Sequence, residues 1–484
     1  MTGAAWGANR RRFLQGTTAA SLSAMAGFPA QALGTRRPNI LFVLADDLRW
    51  DGVGFLNGLV ETPNLDRLAG QGVVFDSCFV TTSICCTSRA SIQTGTFARR
   101  HQVWDFDTRL GADLQAQTYP RLLRQSGYRT GYFGKYGIAD GGPDGSHDPY
   151  PALLEDFDEI ASFDDYYGET DVERREHHSL RVGGFAEAFL RRQDERPFCL
   201  SLGFKAPHAK DNGDPVMGPY VAEPDMLAEY SHTDFVPTET MTEAAFDALP
   251  PFLQRSEARR RWQQRFSTPE LWQDSVRKYF ALVSGIDRQL GRLLNVLEET
   301  GQWQDTLVIF TSDNGYLLGD YGLEGKWFGF EGSIRIPLVM AGAGIARTGR
   351  VAAPVLNVDF APTMLAMAGL AAPPTMQGRD LSPFLAGAAT PAGWRSDFLY
   401  EHYLPGLYHY SRGMESFLPS SEGVRGERYT YIRYPRQPDD NEMLFDRLAD
   451  PDEMNDISET ADPALLQAMR HRADQLIAEA GGAA

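Results

Sequence analysis

From Arg37 onward, short runs of apolar and β-branched residues alternate with longer stretches whose apolar positions recur every three or four residues. That alternation is the pattern of a mostly parallel sheet covered by helices on both faces. Asn39-Ile-Leu-Phe-Val-Leu44 is apolar without interruption between Pro38 and an acidic pair, as a strand buried on both faces requires. Further strands are expected around Thr130 to Phe133, Pro197 to Gly203, Thr306 to Thr311 and Ile336 to Met340, and helices over Thr118 to Gly127 and Ser275 to Gly301. Two polar, Pro/Gly-rich insertions, about Ala139 to Arg181 and Ala209 to Pro269, read as loops and small helices over the sheet rim, where ligand-selecting segments usually lie. After Leu385 an Ala/Gly/Thr/Pro linker leads to alternating aromatic runs, Arg428 to Tyr434 and Met443 to Asp446, and a terminal helix from about Pro463. The expected organisation is therefore a large α/β domain over 33–385 and a smaller α+β subdomain over 386–484.

The first 32 residues fall outside this pattern. Asn9-Arg10-Arg11-Arg12-Phe13-Leu14-Gln15 precedes a mildly apolar Ala/Thr/Ser-rich stretch, and Ala30-Gln31-Ala32 is a small-x-small cleavage site. This reads as a twin-arginine export signal removed after Ala32, which implies a periplasmic or secreted protein. The stretch is too polar and too short to span a membrane comfortably, and no later run reads as a membrane span.

Composition and charge narrow the function. The 484 residues carry 46 Lys+Arg against 64 Asp+Glu, a formal charge of −18, with no basic tail, which argues against binding nucleic acid through bulk charge. A polyanionic ligand must be met by a local basic pocket. Four cysteines (Cys78, Cys85, Cys86, Cys199) are too few for a disulfide framework in a chain this long, which leaves burial or thiol chemistry.

Asp46-Asp47 and Asp313-Asn314-Gly315 each follow directly on an expected strand. The carboxyl ends of strands are where ligands bind in open α/β sheets, and carboxylates with an amide carbonyl are the donors a hard cation prefers, so Ca²⁺, or Mg²⁺, is the expected ion. The third element is Cys85-Cys86-Thr87-Ser88-Arg89-Ala90-Ser91-Ile92-Gln93-Thr94-Gly95. It resembles the maturation signature of the type I sulfatases of the alkaline phosphatase superfamily, Cys-x-Pro-Ser-Arg followed by four residues and Thr-Gly, in which the cysteine is oxidised to formylglycine. Thr87 stands where that family usually has Pro. Gly134-Lys135-Tyr136-Gly137 is similar to a second family signature, with Gly137 where a histidine is expected. Ala206-Pro207-His208, Gly325-Lys326-Trp327, Asp320-Tyr321-Gly322 and the closing Leu444-Phe445-Asp446 with Asp450-Pro451-Asp452-Glu453 and Asn455 extend the likeness from about Pro38 to Ile457. The cysteine motif with His101 shortly after it looks most like the branch containing glucosamine-6-sulfatases.

The resemblance implies an alkaline-phosphatase-like fold and a sulfuric ester hydrolase acting on a sulfated carbohydrate, matured by a formylglycine-generating enzyme. Cys85 would be the nucleophile once converted. Asp46, Asp47, Asp313, Asn314 and Cys85 would surround the cation. Arg89 would hold the nucleophile, Lys135 and Lys326 would neutralise sulfate oxygens, and His208, or Lys326 in its place, would protonate the leaving group. Two alternatives remain open at this point: a phosphate or phosphonate ester hydrolase of the same superfamily, and an unmodified sulfated-glycan-binding protein.

Overall fold

The computed structural model describes residues 37–139, 153–167, 176–192, 194–210, 218–403, 408–410, 414–437 and 441–481. The expected export signal lies outside the described residues. Eight strands form the main sheet: β1 (Asn39–Asp46), β2 (Gly72–Phe75), β3 (Arg129–Gly134), β4 (Glu159–Ser162), β5 (Phe198–Pro207), β6 (Thr306–Ser312), β7 (Leu338–Gly342) and β8 (Gly349–Val351). Their spatial order is β8-β2-β7-β6-β1-β5-β3-β4, and β7 alone runs antiparallel to the rest.

β1 lies at the centre, and its period of two divides the interior into two cores. Leu41, Val43 and Ala45 face one side, against α3 (His178–Arg191) and α4 (Pro269–Glu299); Ile40, Phe42 and Leu44 face the other, against α2 (Tyr119–Gln125) and α5 (Phe360–Met367). The 31-residue α4 starts where Thr268 Oγ1 accepts from the Leu271 amide and Pro269 takes the first helical position.

The strand expected over Ile336–Met340 is split in two. Arg335–Ile336 pairs instead with Cys78–Phe79, and the chain enters the main sheet only at Leu338. Pro337 separates the two pairings, because it has no N–H to give either ladder. The insertion at 139–181, expected as loops and small helices, also supplies β4 at the edge of the main sheet, paired in parallel with β3. The insertion at 209–269 is built from short helices, 224–229, 243–247, 251–254 and 257–265.

A second sheet, β9 (Asp397–His402), β10 (Ser421–Gly426), β11 (Tyr429–Arg433) and β12 (Glu442–Asp446), is antiparallel throughout. Leu399, Val424, Tyr431 and Leu444 turn to the terminal helix α6 (Pro463–Ala480), while Phe398, Tyr400, Ile432, Met443 and Phe445 turn to the main body. No described helix is long and apolar enough to cross a membrane.

Candidate active site

The functional side chains gather at the carboxyl ends of β1, β3, β5 and β6, where parallel strands release their last residues on one rim. β1 ends in Asp46, fully buried, and Asp47 follows with φ +65°, a left-handed backbone that a non-glycine residue holds only under support. The support is visible: Tyr279 of α4 donates its hydroxyl to the Asp47 carbonyl at 2.6 Å, and the Asp47 amide donates to Asp313 Oδ1 at 3.2 Å. From β6, Asn314 Nδ2 donates to Asp47 Oδ1 at 2.6 Å, which leaves its Oδ1 buried with no hydrogen-bond partner.

Cys85 is the first residue of α1 (Cys85–Thr94), a helix with every residue buried. Its Sγ lies 3.2 Å from Asp46 Oδ1 and 2.8 Å from Lys326 Nζ. One turn further, Arg89 sends Nε to Asp313 Oδ2 at 2.7 Å and Nη1 to the Lys135 carbonyl, so the guanidinium braces the carboxylates and the start of the β3 loop together. Lys135 Nζ meets Asp46 Oδ2 at 2.5 Å. Lys326 also binds Asp47 Oδ1. His208, just past the cis Ala206–Pro207 bond, turns Nε2 to Asp47 Oδ2 at 3.6 Å and Nδ1 to the Ala209 carbonyl. Ligand atoms of Asp46, Asp47, Cys85 and His208 all fall within 4.8 Å of one another.

Crowded carboxylates titrate apart here. Burial, then Asp46 and Asp313, push Asp47 up to about 7 against the pull of Lys326. Against the same cost of burial, Lys135, followed by His208, Arg89 and Lys326, holds Asp46 well below the carboxylate range. Burial and Asp46 drive the Cys85 thiol well above its ordinary value, so the unmodified cysteine is a protonated, poor nucleophile. Three buried carboxyls and an amide oxygen with no protein donor fit a hard divalent cation.

All the residues expected from the sequence, Asp46, Asp47, Cys85, Arg89, Lys135, His208, Asp313, Asn314 and Lys326, come together. The other cysteines do not reach the cluster: Cys78 and Cys199 lie in the core behind the sheet, and Cys86 packs into a separate apolar cluster with Ile84, Ala90 and Tyr136. Gly137, standing where the resembling signature has histidine, has φ +77°, and a Cβ there would sit 2.8 Å from Arg89 Cδ. A side chain there would be strained by the left-handed backbone and would have to displace Arg89. His101 is a structural imidazole, pushed down to about 3 by burial and tied to Ser91 Oγ at 3.0 Å. Tyr321, in the position where the family often has histidine, donates to the Asp452 carbonyl and so anchors the closing loop.

Sequence reading did not single out the residues that hold this set in place. Tyr132 donates to the Lys135 carbonyl at 2.7 Å, and Asn357 binds both Ser88 Oγ and the Thr81 amide, fixing the start of α1. Tyr166 donates to the His208 carbonyl. A tyrosine hydroxyl or an asparagine amide carries no local signal of such a role.

The family model described as Sulfatase matches residues 38–370, and the one described as N-sulphoglucosamine sulphohydrolase, C-terminal, matches 319–479. An N-acetylglucosamine-6-O-sulfatase of Bacteroides thetaiotaomicron is 30% identical over 93% of this chain and 87% of its own length. A solved structure in complex with its substrate D-glucosamine-2-N,6-O-disulfate superposes with TM-score 0.73 at 27% identity, covering 92% of this chain and 97% of that one. A phosphonate monoester hydrolase of Silicibacter pomeroyi superposes with TM-score 0.74 at 25% identity, covering 91% and 95%. With the fold, the cysteine motif and the family model in agreement, this chain belongs to the sulfatase family of the alkaline phosphatase superfamily and is a sulfuric ester hydrolase.

Proposed function

We propose that the protein removes sulfate from a sulfated sugar of the glucosamine 6-sulfate kind, with Cys85 matured to formylglycine and a divalent cation, Ca²⁺ in preference to Mg²⁺, held by Asp46, Asp47, Asp313 and Asn314. The observation that carries it is the Cys85 sulfur, at the first turn of a buried helix, between Asp46 and Lys326. The sugar assignment is supported by the Bacteroides relative and the glucosamine disulfate complex.

When bound, the cation supplies charge that polarises a sulfate oxygen and lowers the pKa of the attacking hydroxyl. Formylglycine supplies, as its hydrate, a second hydroxyl through which sulfate can leave by re-forming the carbonyl, a route closed to serine or cysteine. The chain's own residues do the rest. Lys135 and Lys326, both buried and held in the ammonium form by the aspartates despite desolvation, meet charge that grows on the sulfate oxygens. Arg89 keeps Asp313 and the Lys135 loop in register. His208 hands a proton from Nε2 to the leaving alkoxide, its ring oriented by the Nδ1 contact to Ala209. The division between catalytic and C-terminal parts falls at the 385/386 linker, and the twin-arginine segment delivers the folded protein to the periplasm or beyond.

Peptide mass spectrometry of active protein tests the central step. Cys85, and not Cys86, should lose the mass of H₂S and gain oxygen; an intact Cys85 thiol in an active preparation refutes the mechanism. The phosphonate hydrolase likeness defines a second reading. Sulfate against phosphonate esters of one leaving group decides it, with sulfate preferred if the sulfatase reading holds.

A further inference from the structure

Exposure increases along one path out of the site. The side chains of Asp46 and Lys135 are 0% and 5% exposed, Lys205 and His208 12% and 14%, and Asp164 57%. Asp164 reaches this rim through strand register. β4 pairs with β3 so that Ser162 stands beside Gly134, and the Phe163 amide donates to the Gly134 carbonyl at 3.2 Å. The chain therefore leaves β4 beside the loop that carries Lys135.

Lys205 Nζ binds Asp164 Oδ1 at 2.7 Å and the Asp164 carbonyl, while Asp164 Oδ2 has no partner among the described residues. The Lys205 ammonium also lies 5.7 Å from the Tyr166 ring centre, and Tyr166 donates to the carbonyl of His208. Against the cost of partial burial, Lys135 and Lys205 hold the Asp164 carboxyl below the ordinary range, so it is ionised at neutral pH. An anchored, exposed carboxylate whose nearest charges are Lys205 and the sulfate-directed Lys135 has no part in neutralising sulfate, whose charge it repels.

We infer that Asp164 is the sugar-reading residue of this site: its Oδ2 accepts a hydrogen bond from a hydroxyl of the sugar that bears the scissile sulfate, and its charge disfavours a second sulfate at that position. This rests on the sulfated-sugar reading above. It assigns a role to the insertion that carries β4, whose delivered carboxylate favours a singly sulfated sugar over a disulfated one.

The test compares wild-type full chain, Asp164→Asn and Asp164→Ala on glucosamine 6-sulfate, glucosamine 2-N,6-O-disulfate and 4-nitrophenyl sulfate. Binding of glucosamine 6-sulfate to the Cys85→Ala protein, with and without Asp164→Asn, is followed by calorimetry. A hydrogen bond to a charged acceptor is worth roughly 10-fold or more. In Asp164→Asn the kcat/KM for the monosulfate should therefore fall about 10-fold relative to the aryl sulfate, mostly through KM, with a matching loss in the calorimetric Kd. The disulfate-to-monosulfate ratio should rise by about the same factor as the repulsion is removed. Equal losses on sugar and aryl sulfates, or an unchanged disulfate-to-monosulfate ratio, overturn the assignment of Asp164 while the sugar reading stands. Wild-type protein that hydrolyses the aryl sulfate and neither sugar overturns both.

Discussion

Two buried clusters in this molecule both set acids against cations and reach opposite ends. Beneath the C-terminal sheet, Glu331 is gripped by Arg425 at 3.1 Å, Arg335 at 3.1 Å and Arg447 at 3.0 Å; beside it Glu453 accepts from the Glu331 amide at 2.7 Å and from Thr430 at 2.6 Å. Although burial alone would raise Glu331, Arg425, Arg447 and Arg335 bring it down to about 2. At the carboxyl rim of the main sheet, Asp46, Asp47 and Asp313 stand against one another as well as against cations, and Asp47 is pushed up to about 7. In the first cluster each acid is enclosed by donors, and the sheet is fastened to the body. In the second, like charges are kept together and an amide oxygen is left unmet, an arrangement that costs stability and makes sense only if something binds there. Proximity of charge does not separate structure from function in these two clusters; acceptor oxygens left without a donor do.

That contrast is broken or sharpened by removing charge from each cluster. The largest effect should come from Asp313→Asn, which keeps a hydrogen-bond acceptor for Arg89 but withdraws one of the three negative charges at the proposed cation site. We expect kcat/KM on an aryl sulfate to fall roughly 10³-fold or more, while denaturant stability in the presence of chelator changes by less than about 1 kcal/mol. A loss of stability comparable with the loss of activity would place Asp313 in the structural class. His208→Ala should cost about 10² to 10⁴ on a sugar sulfate and much less on 4-nitrophenyl sulfate, whose leaving group departs without a proton. Equal losses on the two would move the acid role to Lys326.

Glu331→Gln should do the reverse of Asp313→Asn. From the ordinary value of 4.5 to about 2, the depressed pKa corresponds to about 3 kcal/mol of folding stability. A depressed acid stabilises above its unfolded value, so this contribution is complete above about pH 4.5 and is lost as pH falls towards 2. Acid denaturation of wild type and Glu331→Gln should therefore converge near pH 2, with kcat at neutral pH little altered. The smallest effect is Gly137→Ala, which forces a Cβ into a left-handed backbone against Arg89. It should lower stability by about 1–2 kcal/mol and reduce activity modestly through the displaced guanidinium, as seen in denaturation and aryl sulfatase assays.

Much was legible from sequence because its signals are local. A strand buried on both faces must be apolar throughout, so β1, β5 and β6 stood out. Acids placed directly after two such strands mark the end of the sheet where ligands bind, and the cysteine motif is dense enough to be recognised by itself. Their place after a buried strand marked Asp46, Asp47, Asp313 and Asn314, and resemblance to the sulfatase motifs added Cys85, Arg89, Lys135, His208 and Lys326.

Tertiary structure decided what depends on partners far along the chain. β4 is four residues with no continuous apolar face, and it is a strand because β3 offers it an edge. Pro337 ends one pairing and lets the next begin, but that β7 runs antiparallel to β6 follows only from the path of the folded chain. The left-handed turn at Asp47 exists because Tyr279, 232 positions away, holds its carbonyl. Asp164 carries no signal of its own in the insertion, and only the pairing of β4 with β3 brings it to the mouth of the site. Sequence encodes burial and turn chemistry residue by residue, whereas contact between distant segments is a property of the packed whole; the list of expected residues came from strand ends and motif resemblance, and their arrangement, with the unmet amide oxygen beside crowded carboxyls, from the fold.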